Sequence, residues 1–89
     1  MNNSRRKAIE SLIDQIEEYA GALRDAVGEL ESLYEQEQES YDNLPDPLQG
    51  SERGQEMAEA ASSLEHASSE LEGSAEAAEQ VAADLRELI

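Results

Sequence analysis

Hydrophobic positions recur along this chain with a period of seven residues. In the first half, Ile9, Ile16, Leu23 and Leu30 share one heptad position, here called a. Leu12, Tyr19, Ala26 and Leu33 share position d, and Ile13, Ala20, Val27 and Tyr34 share position e. All twelve are apolar or aromatic. Three such positions in seven make the broad stripe of a bundle helix, wider than the two-position seam of a strict coiled coil. The pattern predicts a helix over residues 4–42 with Ser4 as its N-cap. Arg5, Arg6 and Lys7 then occupy the first turn, where cations oppose the helix macrodipole at a cost of a few tenths to ~1 kcal/mol.

The second half repeats the period with smaller side chains. Position a reads Met57, Leu64, Leu71, Ala78 and Leu85; d reads Ala60, Ala67, Ser74, Val81 and Leu88; e reads Ala61, Ser68, Ala75, Ala82 and Ile89. A face of alanine and serine lets another backbone come close, and it suits the larger stripe of the first half. A second helix is predicted over residues 52–88, with Ser51 as N-cap and Glu52 favourably placed in the first turn. Between the two lie Asn43, Leu44, Pro45, Asp46, Pro47, Leu48, Gln49, Gly50 and Ser51, the only stretch with proline. Proline lacks an amide donor and disfavours helix in the residue before it, so the first helix must end near Asp42 or Asn43 and residues 43–51 form a turn. Leu44 and Leu48 are expected to cap the end of the core, with Tyr41 and Arg53 flanking the turn and Tyr41 the tyrosine placed to reach a partner. Tyr19 and Tyr34, on the stripe, are expected to be structural. The two helices, each ~55 Å long at ~1.5 Å per residue, predict an all-α fold: one domain, residues 1–89, folded as an antiparallel helical hairpin.

A hairpin has one seam to bury. A large aliphatic side chain contributes about 1.5–3 kcal/mol when buried, each ordered residue costs roughly 1.5 kcal/mol, and alanine has little area to give. The expectation is a homodimer, most simply an antiparallel four-helix bundle, with Ile16, Leu23, Leu30, Leu64, Leu71 and Leu85 as core and dimer residues.

Composition changes the picture mainly by exclusion. The 89 residues hold 22 acidic and 6 basic side chains for a net charge of −16, with one His and no Cys, Trp or Phe. Thiolate chemistry and disulfides are excluded, and direct nucleic-acid binding is disfavoured because phosphate contacts come from Lys and Arg. No apolar run approaches ~18 residues, and the basic cluster near residue 5 leads into an amphipathic stretch rather than an apolar one, so a cytoplasmic protein without membrane contact is expected. A bundle metal site would need inward Glu residues and a Glu-x-x-His pair. Here the one histidine, His66, lies off the stripe with Ser63 three residues before it, and Glu37 is the one acid on an a position of the first helix. No catalytic residue, metal or cofactor is expected. Gly50-Ser51-Glu52-Arg53-Gly54 lacks the lysine and spacing of a phosphate-binding loop and reads as a turn and helix start.

The charge pattern is what remains. Glu10, Asp14 and Glu18 form an i, i+4, i+8 ladder on the first helix, Glu31, Glu35 and Glu39 form another, and Glu17, Asp25 and Asp42 join them. Glu52, Glu56, Glu59, Glu72, Glu76 and Glu79 continue the series on the second. Like charges four apart cost a few tenths of a kcal/mol per pair, a loss that interspersed Lys and Arg would recover, yet Arg24 is the one cation between Lys7 and Arg53. Two readings stand: a solvated acidic surface, or carboxylates offered to a basic groove in imitation of a nucleic-acid backbone. About 55 Å of duplex carries roughly 32 phosphate charges, so the monomer imitates a short segment or a single strand, and a dimer a longer one. Gly21 and Gly28, seven apart on the outward side, each cost ~0.5–1 kcal/mol relative to alanine, as expected either for tolerated surface glycines or for a place where another chain packs closely.

The turn carries a resemblance. Asn43-Leu44-Pro45, Leu48-Gln49 and Ser51-Glu52-Arg53-Gly54 resemble the loop of small acidic helical-hairpin proteins encoded by bacteriophages and prophages. In size and charge the chain is also similar to phage inhibitors of host defence, anti-CRISPR and anti-restriction proteins among them, several of which imitate nucleic acid. The resemblance implies a stoichiometric inhibitor in the host cytoplasm whose partner is a basic, nucleic-acid-binding host protein. The other reading it admits is a scaffolding or accessory interaction module that recognises partners through the apolar stripe.

Overall fold

A computed structural model describes all 89 residues as two long antiparallel helices joined by a tight corner. Helix α1 runs Asn3–Asp42, a short α2 runs Asp46–Gln49, and α3 runs Glu52–Leu88. The molecule is a rod of 69 × 14 × 13 Å measured over its Cα atoms. The helical hairpin expected from the sequence is the observed fold.

Details of the ends differ. The N-cap of α1 is Asn2, not Ser4: the Asn2 side chain accepts a hydrogen bond from the Arg5 amide at 2.8 Å. Asn is as good a cap as Ser, and capping from residue 2 adds a helical residue and leaves Ser4 inside the first turn. The predicted turn also holds structure. Pro45 ends α1, but Pro47 lies in the first turn of α2, where a missing amide hydrogen costs nothing because no intrahelical acceptor exists there. The Gln49 side-chain amide donates to the Tyr41 carbonyl at 3.3 Å and the Leu44 carbonyl at 3.2 Å, fastening the corner to a carbonyl of the last turn of α1. Ser51 caps α3 as expected, accepting from the Gly54 amide at 3.3 Å. Gly54 is buried, and a Cβ there would overlap the carbonyl oxygens of Leu48 and Gln49. Glycine is what lets α3 leave the corner this tightly. Leu44 is half-buried as a cap, whereas Leu48 is 49% exposed and does not cap the core.

The larger correction concerns rotation. The buried residues of α1 are Ile13, Ala20 and Val27; those of α3 are Gly54, Ala61, Ser68, Ala75 and Ala82. Every one sits on the e line, seven apart. The a residues, including Ile16, Leu23, Leu30, Leu64, Leu71 and Leu85, are half-buried, and on the d line Leu12, Tyr19, Leu33, Val81 and Leu88 stay 48–64% exposed. At about 100° per residue, the a line lies about 60° and the d line about 100° around the helix from e. The helices have therefore turned their three-position stripe so that one edge of it meets. A line with no side chain larger than alanine or serine down the whole of α3 makes this the orientation in which the two backbones approach most closely. The six aliphatic residues predicted as core are thus the shoulder of the seam rather than its centre, and Tyr19 is a surface residue rather than a structural one.

Candidate functional site

Around each helix from the seam, the side opposite to a and d carries the residues four and one beyond each e position. On α1 these are Glu17, Arg24 and Glu31, then Asp14, Gly21, Gly28 and Glu35; on α3 they include Glu65, Glu72, Glu79 and Arg86, then Glu76. These two lines meet on one flank of the hairpin. Arg24 bonds Glu79 at 2.6 Å and lies 3.6 Å from Glu72, and Arg86 pairs with Glu17. One heptad forward in α1 thus corresponds to one heptad back in α3, which is the antiparallel register. The Arg24 guanidinium is held further above its ordinary pKa by its hydrogen bond to Glu79, with the charges of Glu79, Glu76 and Glu72 acting in the same direction and desolvation against it. All five pairing groups of these bridges are well solvated, so each bridge contributes little to stability.

Further toward the corner Arg24 reaches no carboxylate beyond Glu72. Glu31 and Glu35 of α1 and Glu65 and Glu72 of α3 line one open groove together with Tyr34, Ser68 and Ser69. A second groove, toward the open end, is lined by Glu17, Gly21, Glu79 and Arg86 with Ala20, Ala82 and Ala83. The flank is therefore an acidic strip along the rod, crossed by two arginine bridges.

The nine acidic residues singled out in the sequence are distributed as follows. Glu10, Asp14, Glu17, Glu31, Glu35 and Asp42 lie on this flank, whereas Glu18, Asp25 and Glu39 lie on the outward back of α1; all nine are exposed. Each i, i+4, i+8 ladder winds from the flank to the back, since four residues advance 40° beyond a full turn. The fold adds Glu65, Glu72, Glu76 and Glu79 of α3 to the strip. Glu65 carries no sequence signal of its own, and pairing across the seam is what brings it to the groove lined by Glu31 and Glu35. Gly21 and Gly28 border the strip with open space where a Cβ would stand, so nothing within the hairpin requires glycine at either position. Tyr41 is half-buried, and Asn43, Pro45 and Arg53 are exposed around the corner. His66 faces solvent and pairs with Glu70 at 2.9 Å.

The other flank is the reverse of this one. The d residues Leu12, Tyr19 and Leu33 of α1 and Val81 and Leu88 of α3 open there, with the half-buried a lines between them and the seam. No helix of the chain is long and apolar enough to cross a membrane. No family model, curated protein or solved structure matches this chain.

Proposed function

We propose that this protein is a stoichiometric protein-binding inhibitor whose acidic strip occupies a basic, nucleic-acid-binding groove of its target. In keeping with the resemblance at its turn, the target is a host defence enzyme and the protein a phage product. The observation that carries this reading is the pairing of two carboxylate lines on one flank, with Glu31, Glu35, Glu65 and Glu72 bordering a single groove in which Arg24 reaches Glu72 alone. A solvated surface needs no such alignment, and it leaves like charges uncompensated that neighbouring lysines would offset. A field of one sign along a rod also speeds encounter with a basic partner by ~10–10³ at low salt.

The magnitude sets what is imitated. Duplex DNA as long as the 69 Å rod carries about 40 phosphate charges at one per ~1.7 Å, against −16 here. One copy therefore matches a single strand or a short duplex segment.

The test is capture from a bacterial lysate at low and high salt, with and without competing duplex DNA, using the protein and its Glu31→Lys/Glu35→Lys/Glu39→Lys variant. The expected result is capture of a nucleic-acid-binding protein that salt releases, DNA displaces, and the triple variant no longer retains while staying helical by circular dichroism. Undiminished capture by the variant overturns the mimicry reading. The second reading, a scaffolding module that recognises its partner through the stripe, is favoured by the open apolar flank. It expects capture that resists salt and DNA and is abolished by Leu23→Asp.

A further inference from the structure

The apolar flank is too extensive to be left to water. Only 8 of 89 residues are buried in the single hairpin, while Leu12, Tyr19, Leu33, Val81 and Leu88 are about half or more exposed along one side. Two helices abreast, each ~10 Å across with side chains, present a face ~20 Å wide, and the a and d lines run from Ile9 to Leu33, about 36 Å at 1.5 Å per residue. That is roughly 700 Å² per copy, close to the ~800 Å² each partner gives to a standard stable interface.

Charge along the rod selects the occupant and its direction. At the open end, residues 1–14 and 80–89 hold four cations (Arg5, Arg6, Lys7 and Arg86) against four acids. At the corner end, residues 35–62 hold eight acids against Arg53 alone. Two hairpins laid corner to corner superpose their most negative ends. Laid corner to open end, each acidic corner meets a region of balanced charge that includes the basic cluster.

We propose that the apolar flank is the interface with a second copy of this chain, packed face to face and antiparallel about a two-fold axis crossing α1 near Gly21, the midpoint of the apolar span. About that axis α1 lies on α1 of the partner. Arg5, which continues the d line one heptad before Leu12, comes level with the partner's Glu37, which continues the a line one heptad after Leu30. Tyr19 of the two copies meets near the axis, and both acidic strips remain outward. The proposal does not depend on what the strip binds.

The test has two parts. Sedimentation equilibrium of the unmodified protein is expected to give twice the 9.8 kDa chain mass, and Tyr19→Glu/Leu33→Glu, at positions exposed in the hairpin, is expected to shift the species to the single-chain mass. A wild-type mass of one chain, or of more than two, overturns the proposal whether or not the variant folds. For direction, the chain has no cysteine, so Tyr19→Cys and Leu33→Cys each supply one thiol. Under an added oxidant Tyr19→Cys should form a covalent dimer. Leu33→Cys should not, since its two copies stand roughly 36 Å apart along the rod. Cross-linking of Leu33→Cys as readily as Tyr19→Cys, or of neither, overturns the antiparallel arrangement.

Discussion

The two flanks of the hairpin are made from the same helices at the same register, yet one is a strip of carboxylates crossed by Arg24 and Arg86 and the other a row of Leu, Tyr and Val. The difference comes from a rotation. Had the a positions faced across the seam, the exposed d line would have been divided from its own stripe and largely covered, and the lines of Glu17, Glu31, Glu72 and Glu79 would have pointed away from each other. Contact along e does two things together: it brings the carboxylate lines of both helices to one flank and leaves both apolar shoulders open on the other. A line of small side chains thus shapes surfaces that it does not itself form.

Enlarging that line is the most direct way to break the contrast. Ala75 is fully buried, and Ala75→Leu forces apart helices that meet there; the expected loss is about 1–3 kcal/mol, read as a lower urea midpoint. Gly54→Ala acts at the same line where it enters the corner, with the Leu48 and Gln49 carbonyls in the way, and is expected to fall in the same range of about 1–3 kcal/mol. If both substitutions leave the midpoint unchanged, close approach along e is not what orients the helices.

Glycines away from the seam sharpen the comparison with a change of opposite sign. Gly21→Ala and Gly28→Ala meet nothing within contact distance, so each should stabilise by about 0.5–1 kcal/mol through helix propensity, seen as a raised midpoint. If instead the raised stability comes with weaker capture of the target, the bare backbone beside the strip is part of the binding surface.

The smallest effect expected is electrostatic. Arg24→Gln removes the pairs with Glu72 and Glu79 but from a solvated position, so its cost should be smaller than that of any change above. Between about 0.01 M and about 1 M salt the screening length falls from ~30 to ~3 Å. Over that range the variant's deficit should shrink, while the wild-type protein itself becomes more stable as repulsion among its 22 acids is screened. Thermal melts across the salt series measure both, and a wild-type stability that falls with salt would mean that the bridges outweigh the repulsion.

Much of the fold was legible beforehand. Heptad spacing marked both helices, Pro45 and Pro47 marked the corner, and the start of α3 with its Ser51 cap was read to the residue. The cap at Asn2 was missed because Asn2 and Ser4 are both capable caps and the choice rests on one side-chain hydrogen bond to the Arg5 amide. The helix within the corner was missed because two prolines read as irregular chain, although Pro47 stands where a first helical turn accepts it. Of the acidic site, the carboxylates of α1 were legible as ladders. Their partners were less so, since the spacing of Glu65 says nothing about the groove it shares with Glu31 and Glu35 until the helices are in register.

Periodicity is a property of the chain alone, and it was enough for two helices, a turn between them and a stripe of a, d and e positions on each. Which edge of that stripe became the seam was a matter of packing between helices. It followed from how closely two backbones approach when Gly54, Ala61, Ser68, Ala75 and Ala82 stand in line, because close contact multiplies dispersion and buries small residues completely. That choice, made across the seam rather than along the chain, set an acidic flank on one side of the rod and an apolar one on the other.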